Sequence, residues 1–143
     1  MIKFVSLKDV LPLRSLVLRN GKELQDCIFP GDYADGSLHL ANTHLEEVIS
    51  VLTFHLKDIP EFEGKGYQLR GMATHPHYHG KGSGKQIMNF AITYLRGQQV
   101  NYIWGNARKT ALSFYLALGF EIFSEEFEVE EIGTHLKMYL KIK

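Results

Sequence analysis

Three glycines within five residues separate a strand-like segment from a helix-like segment in the middle of this chain. Residues 67–74 (YQLRGMAT) are typical of a strand, which Pro76 ends because proline cannot donate a hydrogen bond to a sheet. Residues 80–84 (GKGSG) follow, and residues 87–95 then carry apolar side chains at helical spacing. Glycine lets a backbone approach a ligand closely, and the first N–H groups of a helix lack partners. The segment therefore predicts an anion site suited to a phosphate or pyrophosphate.

Two common phosphate-binding patterns do not fit this turn. The dinucleotide pattern G-x-G-x-x-G needs a third glycine where the chain has Lys85. The P-loop pattern needs glycine where the chain has His79 and a hydroxyl residue where it has Gln86. A third pattern, Q/R-x-x-G-x-G/A, fits residues 79–84 except for the histidine at its first position.

The rest of the chain predicts a sheet with a few helices. We predict helices over residues 9–19, from the glycines to Gly97, and over 109–118, and strands over 37–43, 47–56, 67–74, 100–104, 120–129 and 134–142. A run of strands followed by alternating helices and strands indicates an α/β fold, in which a mixed sheet has helices on both faces.

Composition excludes several classes of protein. The 143 residues fit one domain, and 16 Lys and Arg balance 16 Asp and Glu, whereas nucleic-acid binders usually carry a basic excess. The single cysteine, Cys27, cannot form an internal disulfide. No apolar stretch approaches the length of a membrane helix, and the first 20 residues lack the apolar core of a signal peptide. We therefore expect a cytoplasmic protein that binds neither nucleic acid nor membrane.

Two blocks of sequence resemble the signatures of the GNAT family of N-acetyltransferases. Residues 69–88 (LRGMATHPHYHGKGSGKQIM) are similar to the central strand, the pyrophosphate loop and the following helix of that family. Residues 106–120 (NARKTALSFYLALGF) are similar to its second signature, and the spacing of the two blocks also agrees. The resemblance implies the GNAT acyl-CoA N-acyltransferase fold, a mixed and mostly antiparallel sheet of about seven strands. It also implies that residues 1–143 form a single N-acetyltransferase domain.

The resemblance implies an acetyl-CoA site in a V-shaped split between the strands at 67–74 and 100–104. The pantetheine arm would run beside residues 72–74, and the pyrophosphate would lie on the N–H groups of residues 79–84. His79 stands where the family has Gln or Arg. The residues that the resemblance assigns to cofactor binding are Met72, Ala73, Thr74, His79, Gly80, Lys81, Gly82, Ser83, Gly84, Lys85 and Asn106.

Tyr115 matches the family tyrosine that lies near the CoA sulfur and acts as general acid. Periodicity alone favours a core aromatic on the apolar stripe of its helix, and only the resemblance reverses that preference. The resemblance also implies that a backbone N–H near Met72 polarises the thioester carbonyl. Asn106 has two open interpretations, a hydrogen bond to the cofactor arm or a cap of the helix that follows.

The general base is left open between His39, His135 and a water molecule. His75, His77 and His79 alternate, but we expect no metal site there because no cysteine or carboxylate lies nearby to complete a ligand set.

The resemblance implies an N-acetyltransferase that transfers the acetyl group of acetyl-CoA to a primary amine of a small molecule, by direct attack in a ternary complex. The alternatives are a non-catalytic CoA-binding sensor or interaction module of the same fold, and a binder of another phosphate ligand such as a nucleotide. A homodimer is left open.

Two features bear on the acceptor without deciding it. The glutamates between residues 121 and 131 form either a solvated hairpin face or a surface that attracts a cationic amine. Arg70 would favour an acceptor with a carboxylate, and Asp32 or Asp35 one with a second amine.

Overall fold

One eight-stranded sheet runs through the computed structural model, which describes residues 1–143. The strands are β1 (Ile2–Phe4), β2 (Leu38–His44), β3 (Glu47–Leu56), β4 (Gly66–Thr74), β5 (Tyr102–Arg108), β6 (Glu121–Ile122), β7 (Phe127–Val129) and β8 (Gly133–Lys141). Their order is β1-β2-β3-β4-β5-β8-β6, with β7 also paired to β8. Every pairing is antiparallel except that of β4 with β5. The predicted mixed, mostly antiparallel sheet is therefore confirmed.

The helices are α1 (Leu7–Leu13), α2 (Ser83–Gly97) and α3 (Leu112–Ala117). A wider π-helical segment, Arg14–Leu18, continues α1, and short 3-10 helices cover Leu24–Cys27, Pro76–Tyr78 and Lys109–Ala111. The first helix starts two residues before the predicted start, because the Asp9 carboxylate accepts a hydrogen bond from the Ser6 N–H (3.2 Å). No helix has both the length and the apolar character needed to cross a membrane.

Two strands of the C-terminal half differ from their predicted bounds. The predicted strand 100–104 extends to Arg108 as β5, because β8 pairs with it over its whole length. The predicted strand 120–129 is two short strands, β6 and β7. Between them the Ser124 hydroxyl, rather than a backbone carbonyl, accepts from the Lys137 N–H (2.8 Å) and interrupts the ladder.

The sheet has an apolar cluster on each face. The larger cluster packs α2 against the sheet, and it includes Leu40, Leu52, Phe54, Leu69, Ile87, Met88, Ala91, Leu95 and Ile103. The smaller cluster packs α1 on the other face, and it includes Leu7, Val10, Leu11, Leu13, Ala41, Val51 and Ala73. The predicted apolar stripe of α2 is confirmed.

A β-bulge in β4 changes which face its side chains occupy. Thr53 pairs with Arg70 but Val51 pairs with Ala73, so Leu52 lies opposite two residues, Gly71 and Met72. In a regular strand, Leu69 and Ala73 would share one face. Here Leu69 packs against α2 and Ala73 packs against α1, because the bulge adds one residue between them.

Strands β4 and β5 separate beyond their first three residue pairs. They pair only at Gly66–Tyr102, Tyr67–Ile103 and Gln68–Trp104, and both strands then continue without pairing to each other. The sheet consequently opens as a V at the level of the bulge. This opening positions the cavities described below.

Candidate functional site

The glycine turn before α2 presents unpaired backbone N–H groups. Gly80 and Gly82 have positive φ angles of 78° and 85°, which glycine adopts without steric cost. The first N–H that bonds back within the helix is that of Gln86, to the Gly82 carbonyl at 3.0 Å. The N–H groups of Ser83, Gly84 and Lys85 therefore have no partner inside the helix. Side chains added at Gly80 or Gly82 would meet no atom within 4 Å, so a phosphate has open access to this backbone.

The side chains of this turn differ in how they face the opening. His79 and Lys85 are exposed and line the cleft beside the turn, whereas Lys81 does not line it. The Ser83 hydroxyl is buried without a hydrogen-bond partner, so Ser83 can offer an anion only its backbone N–H. The positive charge at this turn thus comes from Lys85 and from the helix end itself.

A cleft of about 570 Å³ connects the turn with β4 and α3. Of the eleven residues predicted to bind the cofactor, nine line it: Met72, Ala73, Thr74, His79, Gly80, Gly82, Ser83, Gly84 and Lys85. Residues of α3 and of the segment before it, including Phe114, Tyr115 and Arg108, form the opposite wall. Segments far apart in sequence therefore share one elongated opening.

Tyr115 lies at the inner end of this cleft, next to the bulge. Its hydroxyl is 3.7 Å from the Met72 Sδ, and its ring packs edge-on against Phe114 and Phe120. Burial raises the pKa of Tyr115 to about 12, although the charge of Arg108 opposes that shift. The phenol is therefore protonated throughout the neutral range. Tyr115 is both a member of the core and a wall of the cleft, so the two interpretations of its pattern are compatible.

A second cavity, of about 330 Å³, lies beyond the same point. It shares Leu18, Met72, Arg108, Ala111 and Tyr115 with the cleft, so the two openings meet at the bulge. Its walls come from β4, β5 and β8, and from the segment after α1. The arrangement can bring two ligands together at one junction.

Asn106 lies in the middle of β5, where it pairs with Lys137. The prediction that it caps the following helix is wrong, because that helical segment begins three residues later, at Lys109. Asn106 lines the second cavity rather than the cleft beside the glycine turn. The extension of β5 by its pairing with β8 explains the difference.

The two candidate histidine bases have different surroundings. His39 is buried and both its ring nitrogens are engaged, with the Thr53 hydroxyl at 2.7 Å and the Asp32 carbonyl at 3.3 Å. Burial lowers the pKa of His39, and it lines neither opening. His135 lines the second cavity, and its Nδ1 lies 2.9 Å from the Gly133 carbonyl. Because a carbonyl only accepts, neutral His135 carries its proton on Nδ1 and has a free lone pair on Nε2.

A buried ion pair fixes the loop beside these cavities. Arg14 is fully buried and donates to both carboxylate oxygens of Asp32, at 2.7 and 3.2 Å. His55 Nε2 lies 2.8 Å from the same carboxylate, and the Phe29 N–H donates to it at 2.7 Å. Burial raises the pKa of Asp32, but the hydrogen bonds from His55 and Arg14 outweigh burial and hold it well below its usual value. Asp32 is thus not available to an acceptor amine, whereas Asp35 is exposed.

The acidic residues near the C-terminus lie mostly on the surface. Glu126 forms an exposed ion pair with Lys109, and Glu128 accepts a hydrogen bond from Thr134. Glu130 and Glu131 line a depression that adjoins the second cavity. No group of three or more His, Cys, Asp or Glu side chains is placed to hold a metal ion.

Sequence reasoning missed two features of the site. It treated residues 67–74 as one regular strand, although a glycine inside a strand, here Gly71, is a signal for a bulge. In the structure Gly71 has a positive φ of 58°. It also missed Arg108 as a wall of both openings, because only the splayed end of β5 brings it there. No local pattern marks a residue of that kind.

Comparisons with known proteins agree on one family. Residues 36–122, more than half of the chain, match the family described as "Acetyltransferase (GNAT) domain". A protein of Bacillus subtilis (strain 168) named "Uncharacterized N-acetyltransferase YitI" is 31% identical over 143 residues, covering 99% of this chain and 96% of its own length.

Two solved structures illustrate the likeness of fold. Escherichia coli ElaA superposes with a TM-score of 0.77 at 15% identity, covering 99% of both chains. An aminoglycoside 6'-N-acetyltransferase complexed with coenzyme A superposes with a TM-score of 0.70 at 14% identity, covering 100% of this chain and 97% of that one.

Proposed function

This chain belongs to the GNAT acetyltransferase family, and from that premise we propose that it transfers the acetyl group of acetyl-CoA to a primary amine of a small molecule. Residues 1–143 act as one catalytic domain in this proposal. The observation that carries it is the junction of two cavities at Met72 and Tyr115, one beside an anion-binding turn and one beyond it. Direct transfer between two bound substrates needs such a junction.

The turn before α2 binds the pyrophosphate of acetyl-CoA in this proposal. The free N–H groups of Ser83, Gly84 and Lys85 and the positive end of a 15-residue helix supply the attraction. The Lys85 side chain adds a charge from the cleft wall, and His79 adds a polar contact. The solved relative bound to coenzyme A is consistent with this ligand class.

Strand β4 holds the pantetheine arm along residues 72–74 and orients the thioester. The bulge turns the backbone around Met72 out of regular pairing with β3, which frees an N–H to face the split. That N–H stabilises the negative charge that develops on the thioester oxygen when the amine attacks. The thioester supplies the acetyl group, and a nitrogen–carbon bond forms as the carbon–sulfur bond breaks.

Two side chains move the protons. His135 takes a proton from the amine through its free Nε2, and Tyr115 gives one to the departing sulfur. The raised pKa of Tyr115 keeps its proton in place until a thiolate develops beside it. We expect the His135→Gln variant to lower turnover, measured as thiol release, because it removes the group that accepts the proton of the amine.

Replacing Tyr115 tests the reaction. In the Tyr115→Phe variant we expect turnover to fall by about 10²-fold with little change in CoA affinity, because only the proton donor is lost. Turnover is measured as thiol release from acetyl-CoA over a panel of amino acids, polyamines, aminosugars and peptides. Tyr94→Phe is the matched control, since Tyr94 lies on α2 and lines neither opening.

The alternative functions give different results in the same experiment. A CoA-binding sensor would bind CoA and release no thiol with any amine of the panel. A nucleotide-binding protein would prefer ATP or NAD to CoA in calorimetric titrations. Unchanged turnover in Tyr115→Phe would remove Tyr115 from the proposed role while leaving the transferase itself standing.

A further inference from the structure

The second cavity is cationic. Among its lining residues are Arg19, Arg70 and Arg108, and none is an aspartate or glutamate. Glu130 and Glu131 line an adjoining depression that shares Arg19 and Arg108 with this cavity, whereas Arg70 does not line that depression. An amine substrate is itself a cation in water, so a site lined only by positive charges would repel an amine that carried no compensating group.

Arg70 is the cation of this cavity that lies on β4, next to the bulge. It is half-buried on β4, and its guanidinium lies 4.4 Å from the centre of the Phe29 ring. It makes no ion pair and no side-chain hydrogen bond with the protein. Its five N–H donors are therefore free to donate hydrogen bonds to solvent or to a ligand in the cavity. Burial lowers the pKa of Arg70, the charge of Asp32 opposes that shift in part, and the charge of Arg14 lowers the pKa further.

Asp32, the carboxylate near Arg70, does not form an ion pair with it. Asp32 is already held by Arg14, His55 and the Phe29 N–H. Arg14 and Arg70 lie over the same ring, yet of these two arginines only Arg14 forms an ion pair with Asp32. The fold thus leaves Arg70, like Arg19 and Arg108, without a carboxylate partner.

The position of Arg70 relates it to the reacting atoms. It lies two residues before Met72, at the start of the bulge, and on the strand face opposite Leu69. Arg108 and His135 pair across β5 and β8 on another wall of the cavity. A bound molecule can therefore place one end on Arg70 and another near the junction with the cleft.

From these observations we propose that Arg70 determines acceptor specificity by binding a carboxylate of the acceptor, so that the preferred substrates are small amino acids rather than simple amines or polyamines. The inference rests on the proposed acetyl transfer. A guanidinium binds a carboxylate through two parallel hydrogen bonds, which suits a planar anion. The volume of about 330 Å³ is at the lower end of small-molecule sites, which fits an amino acid.

The test compares pairs of amines that differ only in the carboxylate. L-lysine is assayed against cadaverine, β-alanine against ethylamine, and L-phenylalanine against phenethylamine, with thiol release from acetyl-CoA as the readout. We expect kcat/KM for the carboxylate-bearing member to be about 10- to 100-fold higher, which is the range of a charge-assisted hydrogen bond. Preference for the simple amines would overturn the proposal.

The Arg70→Met variant should abolish this preference, mainly by raising KM for the amino acid, because Arg70 binds and does not react. Arg70→Lys should restore part of it, since a lysine keeps the charge but not the bidentate geometry. Arg96→Met is the control, because Arg96 lies on α2 outside both openings and should leave the preference unchanged. A preference that persists in Arg70→Met would overturn the assignment to Arg70.

Binding measurements separate a failure here from a failure of the transferase. Each amino acid is titrated into the CoA complex of the wild type and of Arg70→Met by calorimetry. Binding that depends on Arg70 without any thiol release would support the carboxylate site and contradict acetyl transfer. Thiol release with amines but no Arg70-dependent binding would contradict the carboxylate site and leave acetyl transfer intact.

Discussion

Two arginines lie over the same phenylalanine ring and have opposite surroundings. The Arg14 guanidinium is 4.2 Å from the centre of Phe29 and that of Arg70 is 4.4 Å away. Arg14 is fully buried and ion-paired with Asp32, whereas Arg70 is half-buried and borders a cavity without a protein partner. Identical side chains at nearly the same distance from one ring thus have different roles. They differ because the Asp32 carboxylate bonds to Arg14, whereas Arg70 lines the second cavity.

Replacing each arginine by methionine should change the free energy of unfolding by very different amounts. We expect Arg14→Met to lower the free energy of unfolding by about 3–5 kcal/mol, because it leaves the Asp32 carboxylate buried with fewer donors. Arg70→Met should cost no more than about 1 kcal/mol, since it loses only a contact with the Phe29 ring. Chemical denaturation of both variants measures the difference. Equal losses would show that Arg70 is also a structural residue.

The pH dependence of stability tests the ion pair between Arg14 and Asp32. The pKa of Asp32 is lowered in the folded protein, so its stabilisation is present above its unfolded pKa of about 3.9 and is lost as the pH falls below that value. In this range the wild type should lose about 1.4 kcal/mol more per pH unit than Asp32→Asn, which has no carboxylate to protonate. Unfolding of both proteins between pH 5 and about pH 3 provides the measurement. Parallel curves would contradict the ion pair.

Changing the shared ring should affect stability far less than removing Arg14. Phe29→Leu keeps an apolar side chain but removes the aromatic face from both guanidiniums, which should cost about 1 kcal/mol. The loop should stay in place, because Asp32 still holds it through Arg14 and His55. In the acetyl-transfer assay, the preference for amino acids should weaken, since Arg70 loses the surface that orients it. A loss as large as that of Arg14→Met would mean that the ring, rather than the ion pair, holds the loop.

The local pieces of the fold were predictable because each depends on neighbouring residues. The strand at 67–74, the glycine turn and α2 are contiguous, and all three were predicted from proline, glycine and apolar spacing. The predicted end of β5 was wrong, because pairing with β8 extends that strand to Arg108. The bulge at Gly71 was also missed, since register between strands depends on residues that are distant in sequence.

The candidate site was predictable only in part, for the same reason. Nine of the eleven proposed cofactor residues line the cleft, and they all lie within residues 72–85. The other two, Lys81 and Asn106, do not line it. His39 and His135 were both candidates for the general base, and nothing in the sequence favoured one histidine over the other. Burial and hydrogen bonding distinguish them, because His39 has both nitrogens engaged and His135 has one free at a cavity wall.

The sequence by itself therefore determined the family, most of the order of elements and the glycine turn before α2, because these depend on contiguous residues and on short-range spacing. Only the tertiary structure decided which of the two arginines is ion-paired and which borders a cavity. That outcome depends on the π-helical segment that buries Arg14 and on the bulge that follows Arg70. It also depends on the divergence of β4 and β5, which opens the cavity. Burial and ion pairing at these places depend on segments that are distant in sequence. They set the electrostatic surroundings of each arginine.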